Sequence, residues 1–291
     1  MIVKKGDRAF VIGSIAPAMA FLMIFALYAT FYLIYSSLQR WNLSNPLPVF
    51  VGLRNFRFLV SDANFWESLW RTLIYLVAAL SIQIILGLTI AVMMESVSVG
   101  TGLMRTLIIL PMAMTPAVAG LVWRILYDPT LGLLNFLLSI VGINGPAWVA
   151  NSSTALISII LVDIWQWTPF SVLLVAAGLK ALPLEPYESA KMDGANAIQQ
   201  FFYVTLPLLK NTIYVLVLFR SIDIIKVFDI IYVITGGGPG VATQTVTYYA
   251  FMQGFGWFNL GYASTIALAI LILVTSLTET FIRRTGVLSE K

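Results

Sequence analysis

Arg220, Asp223, Lys226 and Asp229 recur at every third position, with alternating sign, inside an apolar stretch at 208–234. Residues three apart on an α-helix are neighbours, so these charges can pair along one face. At membrane depth each unpaired charge costs about 2.5–3.5 kcal/mol on insertion scales. Side chains under that penalty must turn inward, either to bind helices to one another or to line a polar path for a solute. A second cluster, Asp163, Trp165, Gln166, Trp167 and Thr168, sets a carboxylate and other polar groups beside aromatic faces. That combination suits a sugar, which has apolar ring faces and a hydroxyl rim, although Trp also belongs to the aromatic belt at membrane interfaces. The candidate solute path is therefore Asp163, Trp165, Gln166, Thr168, Arg220, Asp223 and Asp229. Arg124, beside Trp123, reads as a snorkelling residue near a span end. The chain has no Cys and no His, which excludes disulfides, thiolate or imidazole metal sites and Cys or His nucleophiles. Neither HExxH nor GxSxG occurs, and the run Gly236-Gly237-Gly238-Pro239-Gly240 lacks the lysine of a phosphate loop. It reads as a turn. No catalytic residue, metal site or cofactor is expected.

The elements that must position these residues follow from composition. Of 291 residues, 59% are hydrophobic and only 10% charged, against about 45–50% and about 25% in soluble domains. So little charge cannot clothe a globule of this size, and a mean hydropathy of +0.91 agrees. The chain is a polytopic membrane protein. Its net charge of +4 comes from scattered Lys and Arg rather than a basic stripe, so no nucleic-acid partner is implied. Spanning about 30 Å of hydrocarbon takes about 20 residues, and apolar runs of that order lie at 10–36, 73–94, 103–126, 155–179, 208–234 and 262–282. Six transmembrane helices in an all-α fold result. The first run is too long for a signal sequence and is expected to stay as an uncleaved helix.

Charge orients the spans. Lys4, Lys5 and Arg8, then Arg105, then Lys180 and Lys191, and finally Arg283-Arg284 mark one side, whereas the connections 127–154 and 235–261 contain no Lys or Arg. By the positive-inside rule both termini are cytoplasmic and the two bare connections external. Arg40, Arg54, Arg57 and Arg71 in the first external loop dissent from that assignment. The organisation expected is a first span with its external loop over 1–72, a transmembrane core over 73–282 with a cytoplasmic loop at 180–207, and a tail at 283–291.

The 180–207 loop is the most informative segment. It reads as two short helices about a hinge. Pro186 suits a first-turn position and Glu188 the positive end of the helix dipole. Ala190 and Gly194, four apart, would leave one face nearly bare for close approach by another body. Gly194 can end the first helix with a left-handed residue, and Asn196 can cap a second helix, carrying Phe201 and Phe202, that stops before Leu206-Pro207. An amphipathic connector at the membrane surface fits the same mixture of residues.

This segment resembles the signature of the inner-membrane permease subunits of binding-protein-dependent ABC importers: Glu-Ala-Ala, three residues, Gly, nine residues, Ile-x-Leu-Pro. Here Glu188-Ser189-Ala190, Gly194 and Val204-Thr205-Leu206-Pro207 hold the same spacing, with Ser189 in place of the first alanine and Val204 in place of isoleucine. The stretch from Asp163 to Phe170, Leu179 to Pro183, Phe228 to Pro239, and Gly261-Tyr262-Ala263 are similar to the carbohydrate-uptake branch, the MalF-like and UgpA-like subunits. The resemblance covers roughly residues 10–285.

The resemblance implies a type I importer permease core in the inner membrane of a prokaryote. It also implies a second, related permease as heterodimer partner, a cytoplasmic pair of ABC ATPases that carries the ATP and Mg, and an extracytoplasmic solute-binding protein. Glu188, Ser189, Ala190, Asp193, Gly194, Leu206 and Pro207 would then couple the chain to ATPase motion. The expected function is a path for a mono-, di- or oligosaccharide or a polyol, with glycerol phosphate or another small polar solute as the alternative. An ion-coupled secondary carrier would also accommodate the charges of span five but gives no reason for the Glu188–Pro207 signature.

Overall fold

The computed structural model describes residues 5–42, 45–96 and 101–286. Lys4 and the side chains of Lys5, Arg8 and Arg105, which contribute to the charge asymmetry, lie outside the described residues. In chain order the elements are α1 (Lys5–Ser37), β1 (Gln39–Asn42), β2 (Asn45–Phe50), α2 (Arg54–Ser61), α3 (Ala63–Ser96), α4 (Thr101–Ala113) and α5 (Pro116–Leu126). They continue with α6 (Leu133–Ile140), α7 (Ser152–Lys180), α8 (Glu185–Met192), α9 (Ala197–Gln200), a π-helical turn (Phe201–Thr205), α10 (Leu206–Leu208) and α11 (Lys210–Ile225). Last come α12 (Asp229–Ile234), α13 (Val246–Phe251), a second π turn (Met252–Gly256) and α14 (Leu260–Thr285). The described residues pack as two units, one built from the chain up to Asp62 with Ala250–Ile272, the other from Ala63–Tyr249 with the chain from Leu273 onward.

In the first unit a short antiparallel β1–β2 hairpin pairs Gln39 with Phe50 and Arg40 with Val49. Asn55 clamps its base, donating through Nδ2 to the carbonyls of Ser37 and Gln39, both at 2.8 Å. The Tyr262 hydroxyl donates to the Asp62 carboxylate. Gly261 admits no side chain, since a Cβ there would meet the Gln39 carbonyl oxygen at 2.0 Å. Helix α1 presents its apolar side chains outward from Ile15 to Tyr32, as a helix does when lipid or another chain is its solvent.

In the second unit α3 and α7 form the principal pair. The buried positions of α3 are Phe65, Ser68, Thr72, Tyr75, Ala79, Gln83, Gly87, Ala91 and Met94, a stripe at steps of three and four that one helix face must produce. The stripe is rich in small and polar residues, as membrane helix interfaces are when packing and hydrogen bonding, not hydrophobicity, drive association. Gly87 marks the closest approach: a Cβ there would lie 2.6 Å from Cβ of Ser171 on α7. Gly178 does the same for α7 and α11, with Thr212 Oγ1 at 2.7 Å from the added atom. Helix α7 is buried on several faces and also packs against α4, α5, α11 and α12.

Among the described residues four helices are long and apolar enough to span a membrane, and two bent helix pairs bring the number to six when each pair is one span. The run at 103–126 bends by 99° between Ala113 and Pro116. Pro111 and Pro116 remove two backbone donors, and Thr115 restarts the chain as an N-cap whose Oγ1 accepts from the Val118 N–H at 3.4 Å. The run at 208–234 is not one helix either. A helical segment over Ala197–Leu208 bends by 63° into α11. Helix α11 then ends at Ile225, and α12 starts after three intervening residues with Asp229 in its first turn, where a carboxylate meets the positive dipole end. Span two begins at Ala63 rather than near 73, because Asn64, Glu67 and Arg71 hide two helical turns from a hydropathy reading; Arg71 and Glu67 pair at 2.8 Å across one turn. After α5 the Asp128 carboxylate accepts from the Leu131 N–H and from both the hydroxyl and the N–H of Thr130, which together hold its carboxyl below the usual range. The glycine run is a turn as expected, with Gly236, Gly237 and Gly240 at positive φ.

Replacing Gly87 with Val should force α3 from α7 and destabilise the bundle by about 1–3 kcal/mol, the usual cost of overpacking. Thermal unfolding in detergent micelles measures this; an unchanged midpoint would show that the crossing tolerates side chains.

Candidate functional site

Asp163 and Arg220 both lie deep in their helices, with side chains 3% and 1% exposed. Arg220 Nη2 donates to Asp163 Oδ2 at 2.8 Å, and Arg220 Nε donates to Gln83 Oε1 at 2.9 Å. Gln83 closes the triangle by donating through Nε2 to Asp163 Oδ2 at 2.8 Å and to the Asp163 carbonyl at 3.1 Å. The guanidinium also lies over the Trp167 ring, 4.9 Å from its centroid. Three helices, α3, α7 and α11, are thereby joined by one carboxylate, one amide and one guanidinium. The charges are paired and three side-chain hydrogen bonds link the groups, and pairing with hydrogen bonding is the condition under which a buried ion pair is tolerated.

The charge ladder of the sequence runs only part of its length. Asp223 Oδ2 lies 3.8 Å from Arg220 Nη1, and Asp223 Oδ1 lies 3.8 Å from Lys226 Nζ. The step from Lys226 to Asp229 is not helical, because α11 ends between them. A cleft of about 250 Å³ opens where the two broken spans meet, lined by Pro116 at the start of α5, by Asp163, Trp167 and Arg220, and by the segment from Asp223 to Ile230. Asp223, Lys226 and Asp229 are exposed to it while Arg220 is not.

The remaining candidates for the solute path stand elsewhere. Trp165 packs edge-on against Trp123, with ring centroids 5.4 Å apart. Gln166 donates through Nε2 to the Met114 carbonyl at 3.0 Å and so ties α7 to the break between α4 and α5. Thr168 donates to the Ile164 carbonyl at 2.6 Å, one turn before it in its own helix. Arg124 is exposed, and its Nη1 donates to the Val233 carbonyl at 3.1 Å and fastens α5 to α12. Gln83 was missed by the sequence reading, although a lone amide in the run Ile82-Gln83-Ile84 is a polar group at membrane depth and could have raised the question.

The 180–207 loop folds as two short helices about a glycine elbow. Pro186 occupies the first turn of α8, beside Glu185 and Glu188. Gly194 has φ +80°, the Ala195 N–H donates to the Ala190 carbonyl at 2.9 Å and the Gly194 N–H to that of Lys191 at 3.1 Å, the double closure of a Schellman motif. The four-residue spacing of Ala190 and Gly194 therefore ends a helix rather than baring a face, and Ala190 is half-buried. Asn196 and Gln199 form a capping box, both bonds 2.9 Å. The second helix does not stop before Leu206-Pro207. It continues through the π turn and Pro207 to Leu208, because widening the helix by one residue absorbs the missing proline donor. Tyr187 Oη donates to Thr205 Oγ1 at 3.0 Å, joining the two helices. Glu188, Ser189, Asp193 and Gly194 are exposed, and so are the apolar side chains of Leu184, Met192, Ile198 and Tyr203.

Residues 83–284 match the family model described as binding-protein-dependent transport system inner membrane component. The chain belongs to that family. This permease is 35% identical over 272 residues to the trehalose/maltose transport system permease protein MalF of Thermococcus litoralis, covering 92% of this chain and 91% of that one. It is 33% identical over 279 residues to the sulfoquinovosyl glycerol transport system permease protein SmoG of Agrobacterium fabrum, covering 96% and 91%. Its fold is similar to that of a chain in a bacterial alginate ABC transporter, with a TM-score of 0.83 and 18% identity over 97% of this chain and 96% of that one. The permease is thus a membrane-spanning subunit of an ABC importer with the type I fold, and not an ATPase subunit.

Removing one partner of the buried pair strands the other. Asp163→Leu or Arg220→Leu alone should cost the permease about 3–5 kcal/mol, and Asp163→Leu with Arg220→Met together much less than the sum. A double-mutant cycle on unfolding in micelles checks this; additive losses would show that the two residues are not energetically coupled.

Proposed function

We propose that the permease forms, with a second, related permease, the path by which a sugar or polyol crosses the inner membrane of a prokaryote, driven by ATP hydrolysis in a separate pair of cytoplasmic subunits. The observation that carries this reading is the cleft at the junction of the two broken spans, where polar side chains gather within an apolar bundle. Discontinuous helices near the bilayer midplane are a recurrent way to offer polar groups to a solute without exposing them to lipid. The transport of trehalose, maltose and sulfoquinovosyl glycerol named for the relatives supports a carbohydrate.

In this reading both termini and the 180–207 loop face the cytoplasm. Helix α8 docks on the ATPase, and its exposed Leu184 and Met192 with the carboxylates of Glu188 and Asp193 form the contact. ATP-driven closure of the ATPase pair pushes α8. The capped elbow at Gly194 and Asn196 passes that motion through the π turn, Leu206 and Pro207 into α11, whose far end lines the cleft. Access to the cleft then alternates between an extracytoplasmic solute-binding protein and the cytoplasm. The chain itself makes and breaks no bond and needs no cofactor of its own.

Gly194→Leu tests the lever. No atom lies within 4 Å of the added carbon, so the cost is the left-handed backbone alone, roughly 1–2 kcal/mol. The complex should still assemble, while uptake per ATP hydrolysed falls. Wild-type coupling in proteoliposomes would remove α8 from the transmission path.

A further inference from the structure

The charges on the cleft specify more than a sugar. Arg220, the residue best suited by type to hold a phosphate or carboxylate, is 1% exposed, with Nη2 and Nε bonded to Asp163 and Gln83 and Nη1 3.8 Å from Asp223. Its guanidinium face is taken by Trp167. The accessible cation among the described residues lining the cleft is Lys226, which is already paired with Asp223 at 3.8 Å, and Asp229 lines the same cleft. Three carboxylates, Asp163, Asp223 and Asp229, against two cations leave the cleft a net charge of −1. Pro116, Val227 and Ile230 supply apolar wall. A volume of about 250 Å³ lies just below the range of about 300–1,000 Å³ typical of ligand pockets.

We infer that this cleft selects an uncharged polyhydroxylated solute, an unphosphorylated neutral sugar or polyol, and rejects phosphorylated, sulfonated and uronic counterparts. The inference rests on the carbohydrate reading above and narrows it. Exposed carboxylates are acceptors only, suited to pairs of sugar hydroxyls, and hydrogen bonds to an ionised acceptor are the stronger kind. The Lys226 ammonium can donate to a further hydroxyl or ring oxygen. A solute bearing its own negative charge would lie within several ångströms of Asp229, with no accessible guanidinium to answer it. At an effective dielectric of about 20, one such like-charge contact lowers affinity by about ten- to a hundredfold.

The test uses the complete importer, with its partner permease, ATPase pair and solute-binding protein, reconstituted in proteoliposomes. Its ATP-dependent uptake is measured for two matched pairs of probes, trehalose against trehalose 6-phosphate and glycerol against glycerol 3-phosphate. The binding protein selects too, so the decisive quantity is the phosphorylated-to-neutral uptake ratio of a variant divided by that of the wild type, in which this selection cancels. Asp229→Lys should raise that ratio by at least about tenfold, and Asp229→Asn, which keeps size and removes charge, by a smaller amount in the same direction. Wild-type importer should move the neutral member of a pair and not its phosphorylated partner. Faster wild-type uptake of the phosphorylated member, or ratios unmoved by both variants, would overturn the inference and leave the carbohydrate reading intact. Uptake of an amino acid or a peptide but of no sugar or polyol, charged or neutral, would overturn the carbohydrate reading and this inference with it.

Discussion

A guanidinium buried to 1% exposure at membrane depth can be held only if its charge and donors are answered on the spot, and that requirement organises the bundle. Asp163 answers the charge, Gln83 accepts from the guanidinium Nε, and Gln83 in turn donates to the carboxylate. Because the three groups come from α7, α3 and α11, the register of those helices is fixed by hydrogen-bond geometry rather than by apolar packing, which in lipid discriminates poorly between registers. The small residues follow from the same requirement. Gly87 and Gly178 let α3 and α11 approach α7 closely, and at longer range between the helices the triangle could not close.

What the buried triangle leaves outside is also what makes the cleft usable. Asp223, Lys226 and Asp229 are exposed because α11 stops at Ile225 and the chain turns before α12. The break in α4–α5, stabilised by Thr115 and by the bond from Gln166 to Met114, brings Pro116 to the same place. One set of charges thus holds the bundle together while its sequence neighbours line the cleft.

The sequence was clearest where a rule is local. Composition announced the membrane and hydropathy the number of spans. Gly194 and Asn196 announced the elbow, since a left-handed residue and an N-cap act within a few residues of themselves. The spaced signature from Glu188 to Pro207 led to the family. It was least clear where a partner lies far along the chain. The alternation at 220, 223, 226 and 229 suggested one continuous ladder, yet the strongest bond of Arg220 goes to Asp163, 57 positions away, and the next to Gln83, 137 away. The bonds of Arg124 and Gln166 were invisible for the same reason, because both go to carbonyls far along the chain that periodicity does not register. Trp165 and Thr168 lie on other faces of α7 than Asp163 and Trp167, which line the cleft, since four consecutive positions of a helix cannot all face one side.

The amide of Gln83 carries a mechanical consequence. It binds one neighbour as acceptor and another as donor at the same time, so sliding α11 by a single residue against α3 and α7 would break the Arg220 bonds to Gln83 and Asp163, while sliding α3 would break both bonds of Gln83. The three-helix block therefore has one resting register and behaves as a stiff unit. Deformation must be taken up where the backbone is already interrupted: at Met114-Thr115, at Leu209, and between Lys226 and Phe228. Those interruptions flank the cleft or join it to the elbow. Any conformational cycle of this chain is thus confined to a few joints around a rigid centre, and a movement imposed at one joint has few ways to dissipate before it reaches the next.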